Sequence, residues 1–96
     1  MQTKITARRT KVSDTIRERA VELVEKVAKK AHRPKHAAYI FDEEHDQKIV
    51  EVQLHLAGGK VKVATAEADN FRTAIDRVID KLQAQVDKEA AGAARG

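Results

Sequence analysis

Basic side chains in the last third of the sequence recur at helical spacing and could together bind a polyanion. On a helical projection, Arg77, Lys81 and Lys88 fall within about 40° of one another. Asp76 and Asp80 lie further round the helix, so that acids and bases are sorted rather than mixed. Two like charges four residues apart, such as Arg77 and Lys81, slightly destabilise an isolated helix. This second-helix flank, formed by Arg77, Lys81 and Lys88, therefore favours a surface for anions.

The stretch from Lys11 to Pro34 shows the same sorting of charge. Its bases share one side of a predicted helix, which we call the first-helix flank: Arg19, Lys26 and Lys30. Its acids share the back of that helix: Glu18, Glu22 and Glu25. Packed side by side, the two flanks are expected to face one surface. The alternative stays open that each flank is only a solvated face, supported by ordinary pairs such as Glu22 with Lys26.

Metal or catalytic chemistry is not indicated by the remaining polar residues. His32 and His36 have i,i+4 spacing, but Pro34 between them interrupts a helix, so a preformed metal-binding pair is not expected. Four acids lie close together without the loop spacing of a calcium site: Asp42, Glu43, Glu44 and Asp46. No nucleophile has a recognisable base partner. We therefore expect no metal, no cofactor and no enzymatic activity.

The composition indicates one small domain with a basic surface. The chain has 96 residues, and its 19 Lys and Arg exceed its 15 Asp and Glu to give a net charge of +4. With one Tyr, two Phe and no Trp, binding of stacked bases on an aromatic platform is not expected. There is no cysteine, and no apolar run is long enough for a membrane span or a signal peptide. We expect a soluble, cytoplasmic protein.

Hydrophobic periodicity predicts the order β-α-β-β-β-α. A first strand at 2–9 precedes a helix that Ser13 can cap and that should end before Pro34. Strands follow at 35–44 and on both sides of a Gly58-Gly59 turn, and Asp69 or Asn70 can cap the second helix. On the returning strand, two valines lie on one side and two lysines on the other: Val61 and Val63, Lys60 and Lys62. The order implies an α+β fold, with a four-stranded sheet and both helices packed on one face.

Segments near both ends of the chain carry a recognisable pattern, MQTKITAR with VSDTIRERA and AEADNFRTAIDRVIDKLQAQVDK. The most specific part is AIDRVIDKLQAQ, which follows a strand–Gly–Gly–strand unit. In these motifs the sequence resembles the ribosome hibernation promoting factors, also called the sigma-54 modulation or ribosome-associated inhibitor family. The resemblance extends from Met1 to about Lys88. It implies the fold given above, which is similar to that of double-stranded-RNA-binding domains.

The resemblance also implies where RNA is bound. Basic positions of the family motif correspond to Arg17, Lys26, Arg33, Lys81 and Lys88. Together with the two flanks, they form the expected RNA-binding set: Arg17, Arg19, Lys26, Lys30, Arg33, Arg77, Lys81 and Lys88. The chain departs from the family pattern where aromatic residues are common, having Arg72 early in the second helix and Lys30-Ala31 at the end of the first. These departures affect the expected core packing more than the expected RNA binding.

The implied function is that of a short-form hibernation factor, with a ribosome-binding domain at 1–88 and a flexible tail at 89–96. Such a protein binds the small ribosomal subunit and its rRNA, occupies the channel for mRNA and tRNA, inhibits translation and preserves inactive ribosomes. We expect it to compete with mRNA and tRNA, to act beside other hibernation factors, and to be a monomer off the ribosome. Two alternatives are a general RNA-binding module and a protein-interaction domain with an acidic partner.

Overall fold

The secondary structure follows the predicted order β-α-β-β-β-α. The computed structural model describes the backbone of residues 1–95 and the side chains of residues 1–89. The strands are β1 (Gln2–Ala7), β2 (Pro34–Glu44), β3 (Gln47–Leu56) and β4 (Val61–Ala68), and the helices are α1 (Asp14–Ala28) and α2 (Phe71–Arg95). A short 3₁₀ turn at Ala57–Gly59 joins β3 to β4. The predicted α+β fold is confirmed.

The strands form one mixed sheet in the order β1-β2-β3-β4. β1 and β2 are parallel, and α1 connects them, whereas β2–β3 and β3–β4 are antiparallel pairs joined by short turns. This order leaves β1 and β4 as the two edge strands. Both helices pack on the same face of the sheet, and the other face is open.

The core lies between the helices and the sheet. On β3, Val50, Val52, Leu54 and Leu56 are all buried, as the alternation of apolar and polar residues predicts. The stripe predicted from the periodicity of α2 is buried at Ile75, Val78, Ile79, Leu82 and Val86, and its first residue, Phe71, is partly buried against the core. The Tyr39 hydroxyl donates a hydrogen bond of 2.8 Å to the carbonyl of Ala20 and so joins β2 to α1.

Both helices begin at side-chain caps. The Ser13 hydroxyl accepts a hydrogen bond from the Ile16 N–H at 3.2 Å, which confirms the predicted cap of α1. For α2, the Asn70 side chain accepts the Thr73 N–H at 2.8 Å, so Asn70 rather than Asp69 is the cap. α1 ends at Ala28, well short of Pro34, which instead begins β2.

On β4 the valines face away from the helices. Val61 and Val63 are 43% and 45% exposed, whereas the alternate residues Ala64, Ala66 and Ala68 are buried against the helices. The turn before this strand has the predicted left-handed glycines, with φ of +81° at Gly58 and +77° at Gly59. The exposure of the two valines assigns the two sides of β4, which the sequence left open: the larger apolar residues of this strand lie on the open face.

The sequence predicts that the domain ends at residue 88 and that a flexible tail follows at 89–96. The backbone of α2 is helical to Arg95. The side chains of 90–96 lie outside the described residues. The flexibility expected for the tail at 89–96 stays a prediction.

Candidate nucleic-acid interface

The second-helix flank lies against the edge of the sheet. Three side chains of α2, spaced four residues apart, each donate a hydrogen bond to a carbonyl of β4: Arg77 to Glu67 at 2.8 Å, Lys81 to Thr65 at 2.8 Å, and Gln85 to Val63 at 2.7 Å. The acceptors are alternate residues of the strand, so the row of donors runs beside the row of carbonyls. This side of α2 is therefore attached to β4 from Arg77 to Gln85.

These bonds give the like-charged pair Arg77–Lys81 a structural role. β4 is an edge strand, and its outward carbonyls would otherwise be free to pair with another chain. A carbonyl accepts a hydrogen bond without neutralising the donor, so both side chains keep their full charge and have further N–H donors. Lys88, on the same side of α2, is exposed and makes no side-chain hydrogen bond or ion pair with any residue from 1 to 89. The flank thus carries three positive charges that no acid within 1–89 offsets by a salt bridge.

The first-helix flank faces the second helix. Arg19 forms an ion pair of 2.7 Å with Asp76 of α2, and its Nε also donates to the same carboxylate oxygen at 3.2 Å. Lys26 lies 3.4 Å from Glu22 on its own helix. Lys30 follows α1 in an exposed turn and makes no side-chain bond with the described residues. Two of the three charges of the first-helix flank are therefore each offset by an acid.

The two flanks do not lie side by side. Arg19 of the first-helix flank lies at the contact between α1 and α2, whereas the second-helix flank is on the side of α2 that covers the β4 edge. Between them, three acids share an arc of about 40° on the outer side of α2: Asp76, Asp80 and Asp87. The expectation that both flanks face one surface is therefore wrong in geometry, because α2 and its acids separate them.

The other two predicted RNA-binding residues lie apart from both flanks. The Nε of Arg17 donates to the Val12 carbonyl at 3.3 Å, which holds this side chain against the segment before α1. Arg33 is exposed in the connection from α1 to β2, with a left-handed φ of +52°. Its carbonyl accepts the N–H of Ala57 at 2.9 Å. The eight predicted residues thus form separate groups, and their role in binding RNA stays a prediction.

Residues that sequence reasoning missed continue the flank along β4. Gln85 lies four residues after Lys81, and this spacing is the one feature of the sequence that could have indicated it. Near the end of the row, the Glu89 carboxylate binds Lys62 at 2.7 Å and Lys60 at 3.3 Å. Hydrogen bonds from Lys62 and then Lys60 lower the pKa of Glu89. These contacts tie α2 to the start of β4.

The acidic cluster between β2 and β3 has a structural role in part. Asp42 forms an ion pair of 2.7 Å with Arg9, which lowers the pKa of this carboxyl group. Glu43 binds Lys48 and Thr10, and the hydrogen bond from Lys48 is the main cause of its lowered pKa. Two of the four acids therefore hold the β1–α1 connection against the end of the sheet.

The open face of the sheet offers no comparable basic surface. His36 and His55 stack there with ring centroids 4.2 Å apart, which places His55 on the solvent side as predicted.

No three residues of the described part are arranged as metal ligands. Among the described helices, none is long and apolar enough to cross a membrane.

Comparison with protein families identifies the chain. Residues 3–91 match the family described as sigma 54 modulation protein / S30EA ribosomal protein. The chain belongs to this family. The match includes the sheet except for Gln2, the whole of α1, and α2 as far as residue 91, so the family fold accounts for nearly all of the chain.

Two solved structures are similar to this family member over most of its length. One is a ribosomal subunit interface protein from Coxiella burnetii, with 26% identity, a TM-score of 0.77, and coverage of 95% of this chain and 99% of the other. The other is the N-terminal domain of Protein Y from Thermus thermophilus, with 22% identity, a TM-score of 0.77, and coverage of 88% and 93%. The second likeness shows the fold alone. No curated protein matches the chain significantly.

Proposed function

We propose that this protein is a ribosome hibernation factor that binds the small ribosomal subunit in the mRNA/tRNA channel. Bound there, it inhibits translation and preserves inactive ribosomes, without catalysing a reaction. The observation that carries the proposal is the family match over residues 3–91, supported by the ribosomal subunit interface protein that has the same fold. Action in the channel places the protein in the cytoplasm, in competition with mRNA and tRNA.

The charge of the second-helix flank supports binding to rRNA phosphates. Arg77, Lys81 and Lys88 form no salt bridge with the described acids, so their charge is available to a polyanion. Lysine acts as a point charge on a flexible stem and positions a protein on phosphates without reading bases. Contacts of this kind suit a factor that must bind every ribosome.

The aromatic residues support binding to phosphates rather than to stacked bases. Tyr39 and Phe41 are 1% and 0% exposed, and Phe71 packs edge-on against Phe41 with ring centroids 5.3 Å apart. The one Tyr and both Phe of the chain are therefore packed in the core or, for Phe71, against it. The rings outside the core belong to histidines, such as the stacked pair His36 and His55, so the protein lacks the Tyr, Phe or Trp platform on which single-stranded bases usually stack.

The proposal is tested by co-sedimentation of the protein with purified small ribosomal subunits over a range of salt concentrations. If about six phosphates are neutralised, the log–log slope of affinity against salt should be roughly −4 to −5. Excess tRNA and mRNA should displace the protein, and the protein should inhibit translation in vitro at the concentrations at which it binds.

The same experiment separates the alternatives. A general RNA-binding module would bind a double-stranded RNA oligonucleotide as tightly as the subunit, and tRNA would compete only as any RNA does. A domain for an acidic protein partner would not co-sediment with the subunit at physiological salt. Either result would contradict the proposed function. Sedimentation of the free protein checks the expectation that it is monomeric off the ribosome.

A further inference from the structure

The β4 edge carries backbone donors as well as the second-helix flank. We propose that RNA phosphates bind along this edge, through the outward N–H groups of Val63, Thr65 and Glu67 together with the cations of Arg77 and Lys81. This inference rests on the proposed function, and it names a contact surface that includes backbone groups of the sheet.

The register of the sheet defines which backbone groups of β4 point outward. The Leu56 N–H donates to the Lys60 carbonyl at 2.8 Å, which shows that the backbone carbonyl of Lys60 points toward β3. In an antiparallel pair the residues that face the partner strand alternate with those that face away. By this alternation, the backbone groups of Val63, Thr65 and Glu67 face away from β3, which agrees with their carbonyls being the ones that α2 binds.

Side-chain capping changes the chemistry of this edge. A free edge strand normally presents N–H donors and C=O acceptors in alternation, which is the pattern that another β-strand needs. Here α2 binds the outward carbonyls of three alternate residues, and no residue from 1 to 89 accepts a hydrogen bond from their N–H groups. From Val63 to Glu67 the edge therefore presents N–H donors beside the cations of α2, and each outward carbonyl of this segment is already bound once.

Such a strip fits an anion and not a strand. Phosphate oxygens only accept hydrogen bonds, and N–H donors bind charged acceptors more strongly than neutral ones. Alternate residues of a strand are about 6.8 Å apart, so the three N–H groups extend over about 14 Å beside the cations of α2. An extended phosphodiester backbone can follow such a row, whereas a partner strand would find the carbonyls from Val63 to Glu67 already bound by α2.

Thr65→Pro is the direct test, because it removes one outward N–H at a position where an edge strand tolerates proline. Thr65→Ser, which keeps the N–H, is its control. We expect Thr65→Pro to bind small subunits about tenfold more weakly, which is the low end of the loss for one hydrogen bond to a charged group and suits an exposed edge. The salt dependence should keep the slope of the parent, because no charge is removed.

A second variant makes the test independent of the tolerance for proline. Gln85→Ala uncovers the Val63 carbonyl and so places an acceptor beside the bound phosphates. Its control is Gln83→Ala, because Gln83 binds Asp87 on the same helix and does not contact β4. We expect Gln85→Ala to weaken binding about three- to tenfold, again with an unchanged slope, and Gln83→Ala to bind as the parent does.

The outcomes are distinct. If Gln85→Ala binds subunits as the parent does but self-associates in sedimentation, the capped edge serves only to prevent strand pairing, and the inference is wrong. Parental affinity of both test variants also overturns it, while leaving the proposed function intact. If the parent itself does not bind subunits, the proposed function fails. The same variants are then ranked on a double-stranded RNA oligonucleotide, where equal affinities overturn the inference.

Discussion

Replacing Lys81 and Lys88 together with alanine should weaken binding to the small ribosomal subunit by about 15- to 30-fold at 0.15 M salt. Each phosphate contact contributes about 0.7 to 0.9 to the slope of log affinity against log salt. The slope is counted from 1 M salt, where the logarithm of the salt concentration is zero. Lowering the salt to 0.15 M then raises the affinity by about 0.6 to 0.7 log units for each contact, and the double variant lacks two contacts. The slope itself should become shallower by roughly 1.4 to 1.8.

The double variant should fold normally. Lys88 makes no bond with the described residues, so its loss leaves the free energy of unfolding unchanged. The hydrogen bond from Lys81 to the Thr65 carbonyl is exposed, and such a bond contributes about 0.5 kcal/mol, at the low end of the usual range. A change of this size lowers the melting temperature of a domain of this length by about 2–4 °C.

The assay is co-sedimentation with subunits at several salt concentrations, with circular dichroism to follow melting. A matched control removes the same charge elsewhere, by Lys4→Ala and Lys35→Ala, at two exposed lysines outside the predicted RNA-binding set. If the control loses as much affinity as the test variant, only net charge matters. If the test variant binds and inhibits translation as the parent does, the second-helix flank is a solvated face, and the interface lies elsewhere.

Three further predictions concern stability. Leu82→Ala should lower the free energy of unfolding by about 2–4 kcal/mol in chemical denaturation, because Leu82 is fully buried; parental stability would show that the helix register is wrong. Tyr39→Phe should cost about 1 kcal/mol in the same assay, since it removes the buried bond to Ala20, and an unchanged midpoint would contradict that role. Bonds from Lys62 and Lys60 hold the pKa of Glu89 below its ordinary 4.5, so stability should fall as acidification protonates this carboxylate. Glu89→Gln should lack that component in an acid titration, and an identical acid profile would contradict it.

The order of elements could be predicted from the sequence, but the sides of β4 could not. On β3 the apolar residues alternate strictly with polar ones, so the buried side is clear. On β4 both sides carry apolar residues, and the larger valines suggest the wrong one as the core side. Ala64 and Ala66 are buried instead, in the same cluster as Ala74 of α2, where small side chains allow the helix and the strand to approach closely.

The candidate site was predictable only as far as a helical projection reaches. The projection placed Arg77, Lys81 and Lys88 together, because their relative angles depend on one helix alone. It could not show that the first two bind β4, because that contact joins residues 10 and 16 positions apart in the chain. For the same reason it paired the two flanks on one surface, whereas the bond from Arg19 to Asp76 places one flank between the helices.

The attachment of α2 to β4 makes stability and binding interdependent at some positions of the flank and independent at others. Arg77 and Lys81 bind carbonyls of the edge strand and also carry charge that rRNA can use, so a substitution there changes both properties. Lys88 has no such bond with the described residues, and there charge alone changes. A side chain already held by one hydrogen bond loses less conformational entropy when a phosphate binds. The bonds that protect the edge strand therefore also orient the cations, and one row of side chains can serve both the fold and the proposed interface.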